Sequence, residues 1–242
     1  HSVKKRDVLK DLPPVTEDAM VFDLPKDAKA LYMEVQEKSV ALLGDSEIVA
    51  PNVLVELLRL QQITGGFVGV EAENGERREL AVYPETEGKG ALLAEILEEL
   101  PPGEPVVVFH RFRHDCEAIS RVAAAAGRTC AYINGDGNTV GAVWDRADLA
   151  TVCVVQIQAG REGIDLTRAC YCVYWSTGFS LADYEQSKAR LDRPGQDRPV
   201  TVTHLVARGT VDETVARSLR NKRAVIDEVV GMLKGKISAV PA

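Results

Sequence analysis

The sequence predicts an α/β protein: a parallel sheet with helices on both faces, preceded by an N-terminal helical extension and followed by a long C-terminal helix. Three observations lead there. From Lys89 onward, apolar runs of strand length alternate with segments of helical period. One run, Val106 to Phe109, is apolar at every position, as a strand covered on both faces should be. Repeated β–α units of this length call for parallel pairing through right-handed crossovers.

The elements follow in order. The opening, through Pro13 and Pro14, reads as extended, because a residue before proline is pushed away from helix. Asp27 to Leu43 places Ala30, Leu31, Val35 and Leu42 at helical spacing, and Gly44 to Pro51 breaks the pattern. Val53 to Ile63 is a second amphipathic helix, ended by Thr64, Gly65 and Gly66. The polar stretch Glu71 to Gly90 reads as a loop or a short hairpin. Helix Ala91 to Leu100 stops at Pro101, Pro102 and Gly103, and strand Val106 to Phe109 follows. Then come helix Asp115 to Ala126, strand Thr129 to Ile133, a glycine-rich turn and a short helix around Val140 to Trp144. Strand Val152 to Ile157, loop Gly160 to Leu166 and strand Ala169 to Trp175 precede a helix from Leu181 to Asp192. Pro194 and Gly195 end that helix; strand Val200 to Val206 and a single long helix, Val211 to Leu233, complete the chain.

Composition narrows the function. The chain has 242 residues, 45% hydrophobic and 27% charged, an ordinary globular balance. No apolar run approaches the roughly 20 residues of a membrane helix, and no signal peptide opens the chain, so an intracellular protein, cytoplasmic or nucleoid-associated, is expected. The five cysteines contain no CxxC pair, and no metal is expected. A net charge of −7 argues against nucleic-acid binding by the whole surface. Basic residues nevertheless gather at Lys4, Lys5, Arg6 and Lys10 and again between Lys188 and Arg223, which leaves room for a local basic track.

The most restrictive pattern is QxxxRxxRxGQ, read at Gln186, Arg190, Arg193, Gly195 and Gln196. On a continuous helix, Gln186, Arg190 and Arg193 would share one stripe. Two guanidinium forks on one face suit a phosphate chain whose charge grows during transfer, although surface arginines on a helix are common. The second pattern is Gly160, Gly163, Asp165 and Leu166, directly after a buried strand. Glycines there let backbone approach a ligand at the sheet edge where open parallel sheets bind. A tight turn without a ligand explains them equally well.

These segments resemble motifs VI and V of the Swi/Snf-type superfamily-two ATPases. Weaker pieces agree in order: Val106 to Phe112 is similar to motif IV, Tyr132 to Gly135 to the YxxxxG segment, and Lys4 to Glu17 to the stretch joining the two lobes. Gly209 to Val215, with Lys222, resembles the bracing helix after motif VI. The resemblance implies a RecA-like C-terminal lobe at 89–208, a lobe-linking segment with helical extension at 1–88 and a bracing helix at 209–242. It also implies arginine fingers at Arg190 and Arg193, acting on ATP and Mg²⁺ held by an N-terminal lobe. Gly160, Gly163, Asp165, Gln186 and Gln196 would support the nucleotide, and His110 and Arg111 would lie near double-stranded DNA.

No GxxxxGK phosphate loop occurs in the chain, so by itself it is expected to be inactive. Asp212 and Glu213 open a helix, where helix-start charge stabilisation explains them better than metal binding does. Two other readings stay open: a non-catalytic helicase-like module that binds DNA or protein, and an independent nucleotide-using enzyme of the doubly wound class.

Overall fold

The computed structural model describes residues 12–44, 50–71, 77–135, 137–146, 149–159 and 164–237. Its centre is a seven-stranded sheet ordered β1-β9-β8-β4-β7-β5-β6. The strands are β1 (Val15–Phe22), β4 (Val106–His110), β5 (Thr129–Asn134), β6 (Gly137–Asn138), β7 (Thr151–Gln156), β8 (Tyr171–Tyr174) and β9 (Val200–Ala207). Every pairing is parallel except the short β5–β6 return. A separate antiparallel hairpin joins β2 (Phe67–Glu71) and β3 (Arg77–Ala81), the hairpin alternative for the polar stretch, begun four residues earlier than expected.

Helices cover both faces: α1 (Lys26–Gly44), α2 (Ala50–Thr64), α3 (Gly88–Glu99), α4 (Arg113–Ala125), α5 (Leu181–Lys188), α6 (Val211–Arg220) and α7 (Val225–Ile237). A π-helical turn, Val140–Trp144, stands where the short helix is expected. Strand β4 is buried along its whole length, and it divides two apolar cores. Val107 and Phe109 face one core with β7, β8, α2 and α6, while Val106 and Val108 face the other with α3 and α4. Helix α4 shows why such faces form: Asp115, Ala118, Ile119, Val122 and Ala123 recur at helical spacing and are all buried.

Three elements differ from the sequence expectation. Strand β1 pairs in register with β9, Val15 against Val200 through Phe22 against Ala207, in a stretch to which no strand was assigned. Its alternating half-exposed pattern and acidic Glu17 and Asp18 disguise it. The final helix is two helices. Lys222 takes φ +54, and Arg223 N donates to the Ser218 carbonyl at 2.9 Å while Lys222 N donates to that of Leu219 at 3.1 Å, a Schellman stop without glycine. Helix α5 ends at Lys188, four residues early, which alters the candidate site.

Candidate functional site

The carboxyl ends of β4, β7 and β8 meet where the sheet changes its direction of construction: the chain leaves β4 for β5 on one side and β7 for β8 on the other. Crevices at such reversals are where open parallel sheets hold ligands. Main-chain bonds extend the strands to this rim, with Ile157 N donating to the His110 carbonyl at 2.9 Å and Trp175 N to that of Phe109 at 3.0 Å.

Helix α5 begins at Ser180, whose hydroxyl accepts from Asp183 N at 3.2 Å. Exposed Gln186 and half-buried Arg190 line a narrow cleft with Phe109, Ile164, Leu166 and Asp183. Leu166 N donates to the Arg190 carbonyl at 3.2 Å, so the end of the glycine loop and the arginine segment are neighbours. Gly160 and Gly163 lie outside the described residues. Asp165 is exposed and accepts from Thr167 N at 2.9 Å and from its hydroxyl at 2.7 Å. Those two bonds, with a smaller contribution from the Arg193 charge, hold its carboxyl below the usual range.

The single helical stripe does not form. Beyond Lys188 the chain turns, Arg190 N donating to the Ser187 carbonyl and Leu191 N to that of Lys188, both at 3.1 Å. Arg193 therefore stands on an irregular turn before Pro194, which disfavours helix at the residue preceding it. Fully buried Leu191 pins the turn.

Gln196 is a fastener and offers nothing to a nucleotide. It is buried, its amide nitrogen donates to the carbonyls of Ala169 at 2.9 Å and Thr167 at 3.2 Å, and its oxygen accepts from Arg198 N at 3.1 Å. His110 also departs from expectation. It is 1% exposed and its Nδ1 is 2.9 Å from the Phe112 carbonyl, so it presents no surface to a polymer. Burial holds its imidazole below the ordinary value. It borders, almost wholly covered, a pocket of about 370 Å³ lined also by Arg113, Cys116, Asn134, Gly135 and Gln156. Arg111 is half-buried, its guanidinium 5.8 Å from the Phe112 ring centre and 5.7 Å from that of Phe179. Burial lowers its pKa, and the Asp183 carboxylate opposes that shift. Arg111 thus leans toward the α5 cleft.

The sequence reading missed the fastening of α5 to three strands. Tyr174 and Ser187 share a hydroxyl contact at 2.7 Å, and the Tyr184 hydroxyl donates to Glu17 at 3.0 Å and lies 3.0 Å from His204 Nε2. Lys188 donates to the other Glu17 oxygen. Burial tends to raise the Glu17 carboxyl, but the Lys188 bond and charge and the Tyr184 bond outweigh it and hold the carboxyl low. The only advance signal was chemical: polar side chains in runs otherwise suited to a core.

Residues 88–195 match the family described as the helicase conserved C-terminal domain. The chain is 26% identical over 232 residues to protein p41 of Acyrthosiphon pisum secondary endosymbiont phage 1, covering 93% of this chain and 48% of that protein. It is 26% identical over 243 residues to the CHD3-type chromatin-remodeling factor PICKLE of Arabidopsis thaliana, covering 95% and 17% respectively. The chain thus spans less than half the length of either relative. Among solved structures, the C-terminal part of the Fun30 ATPase domain superposes with a TM-score of 0.70 at 15% identity, covering 95% of this chain and all of that one. The Sulfolobus solfataricus SWI2/SNF2 ATPase core in complex with dsDNA gives 0.67 at 20% identity, covering 98% and 50%. These two likenesses establish the RecA-like fold. No described helix is long and apolar enough to cross a membrane.

Proposed function

Because this chain carries a helicase C-terminal domain of the Swi/Snf type, we propose that it is one half of a two-lobed, DNA-dependent ATPase that translocates on duplex DNA inside the cell. Residues 89–208 together with strand β1 (Val15–Phe22), which pairs with β9, would form the motor lobe, the rest of 1–88 its connection and helical extension, and 209–242 its brace. ATP with Mg²⁺ would be held by an N-terminal lobe and would supply the phosphoryl group. This chain's part is to present Arg190 and Arg193 to it.

One observation carries the reading: the Leu166–Arg190 main-chain bond sets the glycine-loop end beside half-buried Arg190 at the sheet reversal, and half-buried Arg193 acts electrostatically on Asp165 of the same loop. Guanidinium groups there are sheltered enough to act strongly on a phosphate and open enough to reach one outside the lobe. With no phosphate loop in the sequence, the residues fit a donor acting across a cleft rather than a self-sufficient nucleotide site. Duplex DNA would be gripped mainly through its phosphates, and lobe closure and opening would move it.

The test is Arg193→Ala and Arg190→Ala in the full-length protein, with DNA-stimulated hydrolysis and ATP binding measured separately. Each change should lower turnover by about 10³-fold while leaving ATP affinity largely intact. Unchanged turnover would remove the finger role and favour a non-catalytic DNA- or protein-binding module.

A further inference from the structure

Helix α5 ends two residues before Arg190, and what holds that end in place comes from the far edge of the sheet. Glu17 lies on β1, opposite Val202 of β9. One of its oxygens receives Lys188 and the other receives the Tyr184 hydroxyl at 3.0 Å. The Lys188–Glu17 pair is sheltered, with side chains 16% and 20% exposed, so water screens it less than a surface pair. Lys188 is also the last residue of α5, and its carbonyl accepts from Leu191 N at 3.1 Å and Asp192 N at 3.0 Å. The same residue therefore closes the helix, supports the arginine turn and grips β1.

We propose that Glu17 is a positioning residue for the arginine turn: its carboxylate, clamping Lys188 and Tyr184, sets where Arg190 and Arg193 stand. This rests on the finger role proposed above. A finger works only if its forks sit within a fraction of an ångström of the developing charge, and a displacement of about 1 Å can cost about 10²-fold in rate. The local bonds of the turn fix its shape, and the Glu17 clamp fixes its place on the sheet. Residues 4–17 also resemble the stretch that joins the two lobes, so on the same reading Glu17 stands where that connection enters this lobe. The clamp would tie the connection to the catalytic turn.

The experiment uses the full-length protein with Glu17→Gln, Lys188→Met and the charge swap Glu17→Lys with Lys188→Glu. Steady-state ATP hydrolysis on duplex DNA gives kcat and KM, and thermal melting gives Tm. Each single change should lower kcat by about tenfold with KM for ATP within about twofold, and the swap should recover most of the loss. A purely structural pair would lower Tm and active fraction together while leaving kcat per folded molecule unchanged in the single variants. That result, or single variants with unchanged kcat, overturns the proposal. Arg193→Ala run alongside separates the two failures: if it abolishes turnover while Glu17→Gln does not, only the positioning role falls.

Discussion

Lys89 and Asp212 form a buried ion pair at 2.8 Å, with side chains 2% and 6% exposed. Lys89 also donates to the Trp175 carbonyl at 2.8 Å, and Thr64 donates its hydroxyl proton to the other Asp212 oxygen at 3.0 Å. The pair thus joins the starts of α3 and α6 to the ends of α2 and β8, beneath the rim that carries Ser176 and Thr177. Helix-start stabilisation of α6 is only part of what Asp212 does.

Removing one partner should therefore be costly. Asp212→Ala strands a buried ammonium and should lower unfolding free energy by about 3–5 kcal/mol in urea titration. The double variant Lys89→Met with Asp212→Leu should lose clearly less than the sum of the single changes. Additive losses would mean that the two charges do not act on each other.

Acid should weaken the fold through His204. Burial pushes its imidazole down to about 4 from an ordinary 6.5, with Arg220 and Lys188 helping and Glu17 opposing. The unfolded chain binds the proton first, so stability present above pH 6.5 is lost as pH falls toward 4, on the order of 3 kcal/mol in all. The low Glu17 carboxyl acts in the same direction at more acid pH. Urea midpoints at pH 7 and pH 5 should differ, and His204→Gln should flatten the difference.

Gln196 gives a test of polarity at constant shape. Gln196→Ala leaves the Thr167 and Ala169 carbonyls without their donor and should cost about 1–3 kcal/mol. Gln196→Glu keeps the outline but turns the donor into an acceptor facing those carbonyls. Its carboxyl should titrate above the ordinary Glu value, so this variant should lose stability as pH rises from about 4, the reverse of the His204 effect.

Lys222 occupies a left-handed position that glycine fills without strain. Lys222→Gly should raise stability by about 1 kcal/mol, because among the described residues the ion pair it gives up is an exposed contact with Glu185 at 3.8 Å. A lower melting temperature would show that the side chain holds α6 against α7 in another way.

The central strands were legible in the sequence because burial on both faces leaves an uninterrupted apolar run, as in Val106 to Phe109. Strand β1 was not, since an edge strand needs only one apolar side and Glu17 and Asp18 mask it. The break between α6 and α7 was illegible for a related reason: Asn221 and Lys222 carry no glycine or proline to mark it. At the site, residue spacing set Gln186, Arg190 and Arg193 on one stripe; Gln186 and Arg190 do line one cleft, but Arg193 leaves the stripe. Spacing could not foresee that Lys188 ends the helix, because the bonds responsible run to β1, β8 and β9. Gln196 and His110 show a limit of pattern reading, since a motif fixes which residue is present but not which way it faces.

The pairing of β1 with β9 also bears on how the molecule can be divided. Strand β9 is buried at six of its eight positions, and β1 is its outer neighbour. A fragment begun after Phe22 would bare a long apolar strand with unsatisfied amide and carbonyl groups, a template for other chains to add to. Fragments trimmed to the helicase motifs should therefore aggregate, whereas those keeping Val15 onward retain the acidic margin that blunts the sheet.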